Sequence, residues 1–334
     1  VFGLNSNPEP MDIYLALADQ IVQRYRANAN KTLADVYSLN HDFLRIEPDV
    51  LEFYVTNREG ILAVFDDPQM SSDLLKLLVD SALEFTYQNN QFVHLNQKEQ
   101  KVFEKIYRNY IQEIRAVVAA SDSVDALEAQ LGAVIENHFH DLSTNISRFF
   151  DAEAAQRVQE NVILKKAVCS EYSPELQLDI LGLQLAQMAQ PVLDLGCGKT
   201  GRLVKYLNQH GVRAVGVDRM VDAEASLFQK DWFDLELVPD SWGTILSHMA
   251  FSNHFNFHHR YKNGQPEKYA RLYVKILCAL KPGGSFIYTP GLPYIEQFLS
   301  PDQYTVTRVD AVRFRIHLSE SVQETGYVTK VTKR

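Results

Sequence analysis

Three aspartates and a string of histidines stand at or near the ends of short apolar runs. Asp194 lies in Val192-Leu193-Asp194-Leu195, Asp218 closes Val212–Val217, Asp231 follows Ala225–Gln229, and His248 falls in Trp242–Met249. A carboxylate can hold a sugar diol, and a neutral imidazole can take a proton from a reacting group. Between the first two runs, Gly196, Gly198 and Gly201 have G-x-G-x-x-G spacing. Arg202–Gln209 follows as a helical stretch with Leu203, Val204 and Leu207 on one face, and Gly211 stands just past its end. Glycine lets the backbone turn tightly and approach a ligand, while a helix start adds free N–H groups and a positive dipole end. An acid after the second strand suits a ribose diol. Pro191 to Met220 is therefore expected to be a strand–loop–helix–strand unit around which the rest is organised.

The glycine spacing admits rivals. A phosphate-binding P-loop needs a glycine five residues before Gly198-Lys199-Thr200, and Leu193 stands there instead. A nicotinamide-binding unit passes the spacing test through Asp218, but Asp194, two residues before the first glycine, stands against it. Asp194-Leu195-Gly196-Cys197-Gly198 and the later Leu280-Lys281-Pro282-Gly283-Gly284 together resemble class I S-adenosylmethionine-dependent methyltransferases, from about Glu171 onward. The resemblance implies an α/β fold with a Rossmann-like seven-stranded sheet, and S-adenosyl-L-methionine as cofactor. Asp194, Gly196, Cys197, Gly198, Gly201, Asp218, Arg219, Ser247 and His248 are the cofactor-binding candidates it marks. It also implies that Asp231 accepts from the adenine amino group while Trp232 packs the ring; capping a turn is the alternative for Asp231. Tyr172 precedes a helix capped by Ser173-Pro174 and expected to reach about Ala189. In this family that segment often closes over the cofactor, so Tyr172 is either a lid residue with a catalytic part or a plain domain contact.

Methyl transfer asks the protein to align acceptor and methyl, and a hydroxyl or ammonium acceptor must also lose a proton. Ser247–His259 holds four of the chain's ten histidines. His248 is the first candidate for that base, followed by His254 and then His258, four residues further along an expected helix. A metal pair at His254 and His258 and a structural role are the competing readings. No Asp or Glu joins the pair nearby, so no metal is expected. The Asn-Pro-Pro-Tyr type of motif used on nucleobases and glutamine amides is absent, which favours an oxygen, carboxyl or amine acceptor of a small molecule or natural product. A peptide or protein acceptor and a non-catalytic scaffold are the alternatives.

The elements that must position these residues fall in two parts. Residues 1–165 are expected to be an all-helical domain of about five to eight helices, and 166–334 the catalytic domain. Residues 1–190 hold four glycines, against eleven in 191–334. Charge divides likewise, with 28 acids to 15 bases in 1–190 and 14 to 18 in 191–334. So acidic a first half would repel phosphates, so no nucleic-acid partner is expected. Expected helices include Met11–Tyr25, one capped by Ser71-Ser72-Asp73, Val102–Val118, one capped by Ser121-Asp122-Ser123, and Asp141–Lys165. The helical domain is expected to roof the acceptor or to pair two copies as a homodimer. Further strands are expected at Ser285–Thr289, Tyr304–Val309, Val312–Leu318 and Tyr327–Thr332. The chain starts at Val1, as a trimmed chain would, and VFGLNSNPEP lacks a signal-peptide plan. With three cysteines in no metal or disulfide pattern and no run long enough for a membrane span, a cytoplasmic location is expected.

Overall fold

The computed structural model describes residues 8–31, 33, 46–147, 172–261, 264–310 and 327–334. The chain divides into two compact units, Val1–Val168 and Cys169–Arg334.

The described part of the first unit is helical: α1 (Pro10–Ala27), α2 (Pro48–Thr56), α3 (Arg58–Asp66), α4 (Pro68–Asn89), α5 (Gln97–Ala120) and α6 (Val124–Ser147). Polar residues fix where these helices start. Asp67 caps α4 by accepting from the backbone of Gln69 and Met70, with Pro68 in first position. The start is thus four residues upstream of the expected Ser71 cap, because Asp-Pro both satisfies the free N–H groups and presets φ. Asn96 and Glu99 form a reciprocal capping box on α5. The Ser123 hydroxyl accepts from Ala126 N at the start of α6, as the sequence suggested. That helix then runs through Asp141, where a new start was expected, since no glycine or proline interrupts it after Gly132. The rest of that expected helix, 148–165, lies outside the described residues. Two apolar clusters hold the unit, one around Ile13, Ile61 and Leu127, the other around Leu95, Phe103 and Ile135. No described helix is long and apolar enough to cross a membrane.

The second unit begins with α7 (Pro174–Leu181), followed by a short 3₁₀ turn at Leu185–Gln187. Ser173 caps α7 as expected, but the helix stops eight residues before Ala189. Gly182 takes the left-handed conformation at φ 64, and Leu183 N bonds back to Leu178 O, a glycine stop. Then come β1 (Val192–Leu195), α8 (Arg202–Gln209), β2 (Ala214–Asp218), β3 (Leu227–Gln229) and β4 (Trp242–His248). The chain continues through α9 (Phe251–Arg260), α10 (Pro266–Ala279), β5 (Leu280–Thr289), α11 (Pro293–Glu296), β6 (Tyr304–Asp310) and β7 (Tyr327–Lys333). The expected strand Val312–Leu318 lies outside the described residues.

The described strands form one sheet in the order β3-β2-β1-β4-β5-β7-β6, parallel except where β7 pairs antiparallel with β5 and β6. Alternation along each strand splits the core in two. Leu193, Leu195, Ile245 and Phe286 pack with Phe251, Phe255, Tyr269 and Tyr273 of α9 and α10. Val192, Leu246 and Ile287 pack with Leu178 and Leu181 of α7 and Leu203, Val204 and Leu207 of α8. Helices thus cover both faces, as parallel sheets require. The expected Lys281–Gly284 turn is part of β5, where one residue of β4, Gly243, stands opposite four of β5 between the pairs Trp242–Leu280 and Thr244–Ser285. Gly283 sits at φ 77 in this bulge.

One buried carboxylate binds β5, β6 and β7 together. Glu296 accepts from Leu292 N (2.7 Å), Tyr288 OH (2.9 Å), Thr329 Oγ1 (2.7 Å), Tyr327 OH (3.1 Å) and Arg308 Nε (2.8 Å). Its side chain is fully buried.

Candidate cofactor and catalytic site

The site grows from the carboxyl ends of β1, β2 and β4, which the register brings level. Asp194 stands opposite Gly216 of β2 and Leu246 of β4, and Gly196 N donates to Val217 O at 2.8 Å. In the loop that follows, Gly196 (φ 87) and Gly198 (φ 77) have left-handed backbones that side-chain-bearing residues rarely adopt. A Cβ on Gly196 would come within 2.3 Å of Ala250 Cβ and 3.0 Å of the Trp232 ring. Gly201 starts α8, and a Cβ there would meet Leu227 at 2.5 Å, so this glycine lets helix and sheet close together.

Asp218 is half-buried at the end of β2, where its two oxygens accept from Gly198 N (3.2 Å) and Met220 N (2.8 Å). The carboxylate therefore braces the glycine loop from the end of β2. Asp231 accepts from Phe233 N at 2.9 Å, so it does cap the turn after β3, an interaction made through one oxygen. Trp232, next in sequence, lies beside Gly196 and meets the His254 ring edge-to-face at 5.0 Å.

Three cofactor candidates are buried. Asp194 is 2% exposed and Cys197 5%, and a Cβ on Gly216 would come within 2.8 Å of the Cys197 sulfur. The Cys197 side chain is thus core, and only its backbone can serve the loop. The Ser247 hydroxyl is buried, donating to Leu195 O and accepting from Phe251 N, both at 2.9 Å. It ties β1, β4 and the start of α9 together. Arg219 is half-buried, and its carbonyl accepts from Gln229 Nε2.

The histidines separate by environment. His248 ends β4, is 8% exposed, and meets the Tyr172 ring edge-to-face at 5.3 Å. Burial pushes its pKa down to about 4, which keeps the imidazole neutral at pH 7. His254 is wedged between Trp232 and Tyr269, with Nδ1 3.5 Å from the Tyr269 hydroxyl. His258 stacks on Tyr269 at 4.7 Å, and its Nδ1 accepts from Gln265 N. The pair is on one helix as expected, but the two rings serve packing around Tyr269. The structure therefore brings together the glycine loop, Asp218, Trp232 and His254, and separately Tyr172 with His248.

Sequence reasoning missed the backbone that aims His248. Met249, next to it, has φ 54, a strained value for a residue with a side chain, and its N–H donates to Thr289 O at 2.9 Å. Asn253 Nδ2 closes the turn onto Met249 O. No residue type in Met249-Ala250 signals this; only the small Ala250 facing Gly196 leaves a trace in sequence.

Titration of His248 gives a direct check. Its unfolded value is near 6.5, so the unfolded chain takes up the proton first as pH falls. Stability from the neutral buried ring is complete above about pH 6.5 and is lost as pH drops toward 4. His138 in the first unit, stacked on Tyr110 and depressed to about 3, has the same sign. At pH 5 each is expected to withdraw on the order of 1–2 kcal/mol relative to pH 7.5. Urea midpoints at the two pH values measure it, with tryptophan fluorescence reporting the second unit alone, since Trp232 and Trp242 are the chain's two tryptophans. Equal midpoints would contradict the buried neutral state.

A mostly parallel sheet whose last strand inserts antiparallel beside β5, with a glycine loop after β1 and an acid after β2, is the Rossmann-like methyltransferase fold. No family model matches the chain, and no curated protein matches it in sequence. Among solved structures it is similar to an S-adenosylmethionine dependent methyltransferase from Mesorhizobium loti, 16% identical over 48% of this chain and 96% of that one, TM-score 0.33. Phosphoethanolamine N-methyltransferase 2 of Haemonchus contortus, in complex with S-adenosyl-L-methionine, is 16% identical over 49% and 54%, TM-score 0.30. Geranyl diphosphate C-methyltransferase of Streptomyces coelicolor A3(2), in complex with S-adenosyl-L-homocysteine, is 15% identical over 48% and 78%, TM-score 0.28. The strand order defines the fold without them.

Proposed function

We propose that the second unit binds S-adenosylmethionine and transfers its methyl group to an oxygen, carboxyl or amine of a small-molecule acceptor. One observation carries the reading: the Gly196–Gly201 loop is bonded to Asp218 on one side and packs so closely against Ala250 and Trp232 on the other that Gly196 admits no side chain. A loop that offers bare backbone, between an acid at the end of β2 and a flat ring, suits the close approach of a nucleoside with an amino-acid tail. Gly196, Gly198, Asp218 and Trp232 would hold it, and the buried Cys197 and Ser247 pack beneath the loop. Once bound, it supplies a methyl group already activated by its sulfonium. The protein's part is then to align the acceptor, exclude water and, through a neutral ring nitrogen of His248, take the acceptor's proton.

Calorimetry with S-adenosylmethionine, S-adenosylhomocysteine and NAD tests this, together with mass spectrometry of any ligand retained on purification. The first two are expected to bind and NAD not. Binding of NAD with no S-adenosylmethionine binding would overturn the reading. Asp218→Ala removes charged acceptors for the ribose and the brace on Gly198 N. Hydrogen bonds to a charged group are worth about 1.5–3 kcal/mol each, so affinity is expected to fall at least about tenfold while the sheet stays folded. An unchanged dissociation constant would give this acid a purely structural role.

A further inference from the structure

The helical first unit carries a half-open cavity of about 520 Å³. Close-packed interiors leave few voids larger than a water molecule, and small-molecule sites span roughly 300–1,000 Å³. Most of the wall is apolar or aromatic, including Tyr54, Phe65, Phe85 and Phe103. Polar side chains on the wall include Gln23 of α1, Asn28 at the end of that helix and Thr86 of α4, besides three that matter most here. Gln20 and Arg24 lie four residues apart on α1 and hence on one face, and His138 comes from α6.

Two of these are unsatisfied. Gln20 Nε2 and His138 Nδ1 are buried with no hydrogen-bond partner among the described residues, and His138 is 7% exposed overall. A buried polar atom left without a partner loses about 1–3 kcal/mol, so two bordering one cavity point to a missing acceptor. Arg24 borders the cavity from the same face of α1 as Gln20. Gln20 Nε2 and the Arg24 guanidinium can only donate, and a neutral imidazole can donate from Nδ1. Glu47 and Asp49 also border the cavity, but both are exposed and keep their water.

We propose that this cavity is a binding site for an apolar monocarboxylic acid, its body among the aromatic rings and its carboxylate accepting from Gln20, Arg24 and His138. The site lies wholly in the first unit, so it stands whether or not the second unit transfers methyl groups. Two acids, 2-naphthoate and dodecanoate, and their neutral counterparts, 2-naphthalenemethanol and dodecanol, are titrated into the full chain by calorimetry. At least one acid is expected to bind one per chain, about tenfold or more tighter than its alcohol, the difference expected of about 1.4 kcal/mol. Arg24→Met, at a half-buried position, is expected to remove that preference with helical circular dichroism unchanged. Ala82→Trp, which fills the wall, is expected to abolish binding of acid and alcohol alike. No saturable binding of either acid up to about 1 mM, equal affinity for acid and alcohol, or an Arg24→Met chain that keeps the preference would each overturn the proposal. S-adenosylmethionine titrated into the same sample reads the second unit independently.

Discussion

Replacing His248 with alanine is expected to lower methyl-transfer turnover by about two orders of magnitude or more, the usual scale for removing a general base. S-adenosylmethionine affinity should stay nearly intact, because His248 stands at the end of β4 and the loop that cradles the cofactor follows β1. The ring is well placed for this work. It is buried, neutral well below pH 7, steered by the strained Met249 and held edge-on by Tyr172. A pKa near 4 makes it a weak base, yet the driving force for transfer comes from the sulfonium, and the proton leaves an acceptor whose own acidity rises as the new bond forms. His254→Ala provides the contrast, since that ring props Trp232 and its loss should raise the cofactor dissociation constant more than it slows transfer. Single-turnover rates at saturating cofactor, with an acceptor found by screening, separate the two variants. Wild-type transfer by His248→Ala across the pH range would leave proximity as the whole of catalysis.

Glu296→Ala is the second large effect, expected to destabilise the second unit by about 3–5 kcal/mol. Five donors converge on this carboxylate, and removing it leaves Arg308, Tyr288, Thr329 and the Leu292 N–H facing one another around an empty space. Glu296→Gln keeps the shape and is expected to lose less, since it strands mainly the Arg308 charge. Urea unfolding followed by tryptophan fluorescence reads this in the right unit. A loss below about 1 kcal/mol for Glu296→Ala would mean that water satisfies these groups.

Glu296 also shows where sequence reading runs out. Its partners come from β5, β6 and β7, up to 33 residues away along the chain, and nothing in the order Leu292-Pro293-Tyr294-Ile295-Glu296 marks the residue as buried. Periodic and local signals were legible: the glycine loop, the alternation of strands and helices, the caps at Ser123 and Ser173. Gly182 was visible too, but a long apolar pattern beyond it concealed the stop. Side-chain direction was the harder part. Cys197 and Ser247 sit at positions that border a cofactor in sequence terms, and only the pleat and the neighbouring strands decide that their side chains pack into the core. His254 and His258 shared the expected face, yet Tyr269, contributed by the next helix, claims both rings.

The packing of Cys197 has a consequence for handling and for redox chemistry. Its sulfur fills the space that the missing side chain of Gly216 leaves, so a thiol in the middle of the cofactor loop has no room to gain an oxygen atom or a bulky cap without pushing β2 aside. Cys278 on α10 is exposed and reacts first of the two. Of the two described cysteines, alkylating reagents, spin labels and fluorophores therefore mark Cys278 on α10 and leave Cys197 in the glycine loop untouched.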